Sequence, residues 1–221
     1  MAFVAEMQET AWEGLVLELD HILWAAADLA DATAAFGRAT GTTPAPGGSH
    51  AGFGTRNSLA SLGEGLYLEV LALDPDQAVD ASRAAEIAAI TRPRLLTFAV
   101  RGEGIEAFSQ AAADLGLQPS APVAMTRKRA DGVVLSWRCV YIENLAFQNM
   151  VPFIIDWEGS EHPSLTTPRG CGLKSFSAIH PDPDSLRLIY ERLSVDVPVL
   201  RGPVPGFHAV LGTPRGDVVL T

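Results

Sequence analysis

Apolar residues dominate positions 17–26, and period-2 alternation places Leu17, Leu19, His21 and Leu23 on one face of an expected strand. Asp28 then stands as the N-cap of a helix over residues 29–40, with Leu29, Thr33 and Phe36 near one side and Gly41 as its stop. Pro44, Pro46, Gly47 and Gly48 interrupt regular structure. Residues 57–62 and 66–73 read as a strand pair turned at Gly63-Glu64-Gly65. The order is strand, helix, irregular strand, strand, strand.

A small-residue helix over 76–90 follows, and after Arg92-Pro93 the pattern restarts. Residues 95–100 predict a strand, 105–115 a helix ending at Gly116, and 125–129 with 133–140 a hairpin across Ala130-Asp131-Gly132. The apolar run 150–157 completes a second unit. A third start comes at 173–179, with a helix from about Ser185 to Leu193 announced by Pro183 and Asp184, then short apolar runs at 207–211 and 218–220. One unit recurring at roughly 75 residues is the main architectural signal. The expected fold class is α+β: tandem βαβββ modules with curled mixed or antiparallel sheets, plus a partial third module. The boundaries expected are a leader over 1–16, a first module over 17–74, a linking helix within 75–94, a second module over 95–157, and the partial third over 158–221, packed on the same domain.

Composition narrows the partners. A 221-residue chain that is 48% hydrophobic and 19% charged can bury a proper core. No 18 uncharged apolar residues run together, so no membrane partner is expected. A net charge of -10 repels a phosphate backbone and argues against nucleic acid. The basic triplet Arg127-Lys128-Arg129 reads as a solvated hairpin end, or a small-anion site at most. The first 14 residues carry Glu6, Glu9 and Glu13 and no Lys or Arg, which is not a secretory signal. A cytoplasmic location follows as an expectation, with Cys139 and Cys171 as free buried thiols.

Two polar residues interrupt the apolar strands. An ionised Glu69 among Tyr67, Leu71 and Leu73 is costly to bury without a reason. A cleft-facing His21 and Glu69 would explain both, as catalytic groups or metal ligands. A structural imidazole–carboxylate pair is the alternative. The segment from Gly47 to Asn57 gathers His50, Thr55, Arg56 and Asn57, donors suited to a polar or anionic ligand if it is more than a surface loop. It lacks the spacing of a phosphate loop. His162 falls just after a strand, where a cleft rim would be. Trp24, Trp137 and Trp157 occupy strand positions that suit core packing or an aromatic cleft wall, and Trp137 joins the candidate ligand-binding set. No serine or cysteine nucleophile context is present, nor a dinucleotide fingerprint.

The words Asp20-His21, Gly47-Gly48-Ser49-His50 through Gly54-Thr55-Arg56-Asn57, Tyr67-Leu68-Glu69, Asp131-Gly132-Val133-Val134-Leu135-Ser136-Trp137-Arg138, and Pro152-Phe153-Ile154-Ile155-Asp156-Trp157 followed by His162-Pro163 occur in this order. Together they resemble the glyoxalase-like domain subgroup of the vicinal oxygen chelate superfamily, which includes glyoxalase I, extradiol dioxygenases and bleomycin-resistance proteins. The resemblance implies two modules whose sheets curl around a cleft, with metal ligands on the first and last strands of each. His21 and Glu69 match in the first module. In the second, Thr97 stands where the first-strand ligand would lie, and residues 151–155 hold no counterpart of Glu69. His50, Asp156, His162 and His180 are the candidates for missing ligands. The resemblance therefore implies one divalent metal (Zn, Ni, Mn or Fe) or none. It implies a lyase, isomerase or dioxygenase-type enzyme acting on a small molecule through His21 and Glu69. The alternative is a non-catalytic, resistance-type protein that binds or sequesters a small molecule. A monomer or a homodimer is expected.

Overall fold

The structure, a computed structural model, describes residues 16–78, 81–102, 104–129, 131–143 and 146–221, with only the backbone of 81–84. Apart from Val16, the expected leader lies outside the described residues, as does Ala130 of the expected hairpin turn.

The first unit comprises β1 (Glu18–Ala25), α1 (Leu29–Thr40), β2 (Ala45–His50), β3 (Thr55–Gly63) and β4 (Leu66–Leu73). Helix α1 keeps its expected bounds because both ends are chemically marked. The Asp28 carboxylate accepts from the Asp31 amide at 2.8 Å, and Gly41, at φ 81, closes the helix in the left-handed region. The stretch expected to be irregular is the edge strand β2. Its ladder slips between Pro46 and Gly48, and an edge strand tolerates a proline at such an irregularity.

The linking helix is shorter than expected, α2 (Ala81–Ala88). Next come β5 (Arg94–Arg101), α3 (Ile105–Asp114), β6 (Gln118–Pro119), β7 (Val123–Lys128), β8 (Val134–Val140), β9 (Ile142–Glu143) and β10 (Phe153–Asp156). The apolar run that begins at Met150 opens with a 3-10 turn and becomes a strand only at Phe153. The chain ends with β11 (Gly172–His180), α4 (Pro183–Arg192), β12 (Val199–Arg201), β13 (Gly206–Thr213) and β14 (Gly216–Leu220). Helix α4 starts earlier than expected because Asp182 is its cap and Pro183 lies in its first turn.

An eight-stranded sheet runs in the order β2-β3-β4-β1-β5-β10-β8-β7. Its centre is the antiparallel pair β1–β5, with Ile22 opposite Phe98. Each half then repeats the same order outward, parallel β4 beside β1 and parallel β10 beside β5. His21 lies opposite Ala99 and Thr97 opposite Leu23, so His21 and Thr97 hold equivalent places on either side of the Ile22–Phe98 pair. Glu69 lies beside Leu23, and Phe153 lies beside Ala99. Phe153 therefore occupies in β10 the place that Glu69 occupies in β4. The edges β2 and β7 approach one another, so the sheet curls to near closure around a cleft.

Alternation sorts the side chains into two layers. Ile22, Trp24, Leu68, Val70, Phe98, Val100 and Ile154 face outward into one large core with Phe36 of α1, Phe108 of α3, and Leu186 and Tyr190 of α4. A second sheet, β12-β11-β13-β14, closes that core, with Phe98 edge-on to both Phe176 and Phe207. Its pairing differs from the first two units: the strand directly after the helix, β12, lies parallel to β11. The opposite face of the large sheet carries two smaller clusters, one built on Leu23, Leu71, Ile87 and Leu96, the other on Leu135, Trp137, Cys139 and Ile155.

The expectation that Leu17 and Leu19 share a face with His21 is corrected. The β1–β5 ladder shifts register between Leu19 and His21, and both leucines pack on the outer core. Such a bulge re-aims the side chains around it. Here it brings Asp20 and His21 into the same buried spot.

Candidate active site

Asp20, His21 and Glu69 are 0%, 3% and 5% exposed, yet all three are ionisable. They tolerate burial because they satisfy one another. His21 Nδ1 donates to Asp20 Oδ1 at 2.6 Å, and its Nε2 faces Glu69 Oε2 at 3.3 Å. The imidazole stacks on Tyr67, ring centroids 4.5 Å apart, and meets the edge of Phe153 at 5.5 Å. Both rings fix its plane.

The other carboxylate oxygens are also held. Asp20 Oδ2 accepts from Trp157 Nε1 at 2.9 Å and lies 3.0 Å from His162 Nε2. A proton on His162 Nε2 leaves Nδ1 to accept from Ser164 Oγ at 2.8 Å, and Ser164 Oγ in turn accepts from the Gly65 amide at 3.0 Å. On the other side, Asn57 Nδ2 donates to Glu69 Oε1 at 2.7 Å and contacts His50 Nε2 at 3.0 Å. His50 Nε2 also lies 3.6 Å from Glu69 Oε1, and its Nδ1 is 2.8 Å from Thr55 Oγ1. A connected polar network thus surrounds His21.

Its electrostatics follow from competition between burial and charge. Burial alone would lower the His21 pKa, but hydrogen bonds to Asp20 and Glu69, and their negative charges, raise it to about 9. Burial alone would raise Glu69, but the His21 hydrogen bond, the nearby imidazoles and the Asn57 amide bring it down to about 2. Asp20 is likewise driven up by burial and held well below the usual carboxylate range by His162 and His21. At neutral pH the floor of the cleft is an imidazolium between two carboxylates. Burial pushes the Cys139 thiol up to about 12, which leaves it protonated and inert.

The cleft above this floor encloses about 860 Å³, its open mouth included. His21, Tyr67 and Glu69 line it from β1 and β4; Phe53, His50, Thr55 and Asn57 from β2, β3 and their turn; Met125, Arg127, Trp137 and Tyr141 from β7, β8 and beyond. Thr97, Phe153 and Trp157 also line it, as do Glu86 and Asn149. Of the residues singled out in the sequence, His21, Glu69, His50, Thr55, Asn57, Thr97, Trp137 and Trp157 meet in this one space. Arg56 is not part of its lining, because alternation along β3 sends Thr55 and Asn57 inward and Arg56 to the other side. His162 stands behind the floor and reaches the site through Asp20.

Trp157 lines the cleft, one of its two expected places, and so does Arg127, from a triplet expected as a solvated hairpin end or a small-anion site at most; Asp20 and Tyr67 join the site without having been expected there. The signal for Asp20 was present, a carboxylate adjacent to the buried histidine within an apolar run. Trp157 and Arg127 depend on how distant strands meet, which local periodicity does not encode.

A divalent metal needs three or more convergent ligands in a site of this kind. Among the described residues, no group of three or more His, Cys, Asp and Glu side chains is placed to hold one. Both His21 nitrogens already face carboxylates, and the equivalent places in the other half-sheet hold Thr97 and Phe153. Asp156 pairs with Arg138 at 2.9 Å, and His180 Nδ1 lies 2.9 Å from the Asp182 carbonyl oxygen. The donor set does not fit a metal centre built from both halves.

The sequence profile of the glyoxalase-like domain matches residues 19–194. No curated protein matches the chain. A crystal structure of a hypothetical protein from Staphylococcus aureus superposes with a TM-score of 0.69, over 91% of this chain and 93% of its own, at 16% identity. That likeness shows a shared fold. Methylmalonyl-CoA epimerase from Mycobacterium tuberculosis superposes with a TM-score of 0.45, over 62% of this chain and 84% of its own, at 20% identity.

Proposed function

This chain belongs to the glyoxalase-like domain family of the vicinal oxygen chelate superfamily, and from that premise we propose that it is a metal-independent acid–base enzyme of the isomerase or lyase kind. Its substrate is a small molecule with an acidic C–H beside a carbonyl. The observation that carries this reading is the Asp20–His21–Glu69 array at the floor of an aromatic cleft, with Nε2 of His21 facing Oε2 of Glu69 at 3.3 Å.

The roles follow from position and charge. His21, held protonated, donates from Nε2 to the carbonyl oxygen and steadies the enolate-like charge that forms there. Asp20 keeps the Nδ1 proton in place, so Nε2 is the nitrogen that gives its proton up. Glu69 takes the proton from the adjacent carbon. A substrate seated between His21 and Glu69 separates the pair, which removes the charge that depresses Glu69 and raises its basicity. Asn57 holds the second oxygen of Glu69 and aims the first. Returning the proton to a neighbouring atom gives an isomerase; expelling a leaving group gives a lyase.

The test is hydrogen exchange by NMR in D2O across a panel of small 2-oxo acids, 2-hydroxyaldehydes and 2-hydroxyketones. Wild-type protein is expected to exchange the proton beside one carbonyl class. Glu69→Gln is expected to slow that exchange about 100-fold or more, the usual contribution of a positioned base. Exchange undiminished by both Glu69→Gln and His21→Ala would overturn the reading.

A second reading, a binding protein without chemistry, is favoured by the Phe53, Tyr67, Trp137, Tyr141, Phe153 and Trp157 rings around the cleft. It predicts stoichiometric binding and no exchange at any panel member.

A further inference from the structure

Three basic residues follow one another at the end of β7, and the strand separates them. Arg129 pairs with Asp131 and with Glu161, each at 2.5 Å, over the hairpin end. Lys128 is exposed. Arg127, like Met125 two positions earlier, turns inward and lines the cleft. Its Nε is buried without a hydrogen-bond partner, and no carboxylate among the described residues lies within ion-pair distance of its guanidinium. Glu69 and Tyr67 are near enough to sense its charge, but not to bond it.

A half-buried guanidinium without a partner is an expensive arrangement. The surrounding backbone is shaped to accept it. A Cβ on Gly47 would come within 2.9 Å of Arg127 Nη1, and one on Gly48, at φ 146, within 2.8 Å of its Cδ. The two glycines of β2 therefore leave bare backbone where the arginine crosses the seam between β2 and β7. The buried Asn57 Oδ1 on the same side also has no donor. The cleft thus offers, beside Asn57, a guanidinium with no ion-pair partner among the described residues.

We infer that Arg127 is the recognition group for an oxyanion carried by the ligand, and that the ligand class is a small carbonyl compound bearing a carboxylate or phosphate group. The second half of this statement rests on the acid–base reading above; the first stands on the geometry of Arg127 alone. A planar guanidinium takes a carboxylate or phosphate through two parallel hydrogen bonds. Such a ligand fills the missing ion pair at Arg127 and is thereby oriented, its carbonyl end directed to His21 and Glu69. Arg127 is a binding residue in this scheme and takes no part in proton transfer.

The experiment titrates the tryptophan fluorescence of the full chain, to which Trp137 and Trp157 of the cleft contribute, with oxalate, malonate, inorganic phosphate and the neutral diamide oxamide. Wild-type protein is expected to bind at least one anion with a dissociation constant below about 10 mM and oxamide more weakly. Arg127→Met is expected to weaken the anion about tenfold or more, while Arg127→Lys retains part of it, with urea midpoints of both variants reported alongside. Preference for oxalate and malonate assigns a carboxylate; preference for phosphate assigns a phosphoryl group. No anion bound by wild-type protein below about 10 mM, or equal binding by a folded Arg127→Met, overturns the inference. If Arg127→Met does not fold, Arg127→Lys decides, since undiminished oxamide binding with anion binding weakened only there still supports it, and unchanged anion binding refutes it. Anion binding without proton exchange on the carbonyl panel would remove the acid–base reading and leave Arg127 in place; exchange confined to neutral compounds would do the reverse.

Discussion

Trp157 donates its indole N–H to Oδ2 of Asp20 across 137 positions of sequence, at 2.9 Å. The carboxylate so fixed is the one whose other oxygen holds His21. A strand end of the second half thereby sets the orientation of the chief residue of the first.

Removing that carboxylate leaves a buried imidazole and two further donors unpaired. Asp20→Ala is expected to cost about 3–5 kcal/mol, the range for breaking a buried charge pair from one side. Trp157→Phe removes one hydrogen bond to a charged group and is expected to cost about 1.5–3 kcal/mol. Urea unfolding measures both, and equal costs for the two would contradict the ranking of Asp20 as the hub.

The pH dependence of stability has two limbs. His21 is raised from 6.5 to about 9, so its contribution is complete below 6.5 and disappears as pH rises through 9. Glu69 is lowered from 4.5 to about 2, so its contribution is complete above 4.5 and disappears as pH falls through 2. Asp20 adds to the acid limb in the same direction. Urea midpoints should therefore be flat between about pH 4.5 and 6.5 and decline on both sides. His21→Gln should abolish the alkaline limb; its persistence would assign that limb to another group.

Wild-type protein offered Zn, Ni, Mn and Fe and then desalted is expected to retain less than about a tenth of an equivalent, because the second half-sheet holds Thr97 and Phe153 at the two places equivalent to His21 and Glu69. The double variant Thr97→His with Phe153→Glu restores donors at the two equivalent places and is expected to gain metal. Elemental analysis checks both. Stoichiometric metal in the wild type would show that the first half suffices.

Gly47→Ala drives a methyl into the Asn57 amide oxygen and against Arg127. A cost of about 1–3 kcal/mol is expected, as for other overpacked positions, together with a loosened Asn57–Glu69 contact. Gly206→Ala, which meets nothing within 4 Å and needs no left-handed backbone, is the control and should change stability by less than about 0.5 kcal/mol. Thermal melts of the two variants distinguish them.

The parts of this molecule that were legible in sequence are those whose causes are local. Asp28 and Gly41 bound α1 through their own chemistry, and alternation in β4 put Glu69 on the face opposite Leu68 and Val70. Thr97 stands where the resemblance puts the second unit's first-strand ligand, and the β1–β5 register makes it equivalent to His21 about the central strand pair. What escaped was set by partners far away in the chain. The bulge beside Asp20 exists only because β1 pairs with β5, and it moves Leu17 and Leu19 off the His21 face. Strand β2 forms despite two prolines and two glycines before and within it because β3 supplies its ladder. Arg127 looks like one of three surface cations until β7 is curled against β2, which turns it inward and leaves its two neighbours outside.

The two halves of the large sheet share a backbone plan but have divided their labour. In the proposed scheme the acid, the base and the amide that steers the base come from one half, and the guanidinium and most of the aromatic wall come from the other. The division is not complete, because Trp157 and Phe153 of the second half hold Asp20 and the His21 ring, so the second half can diverge to admit a new compound without disturbing these groups only where those two contacts are kept. Changes in β7 and β8 should thus alter chiefly which molecule is bound and, under the proposed acid–base scheme, changes in β1, β3 and β4 how fast it is converted.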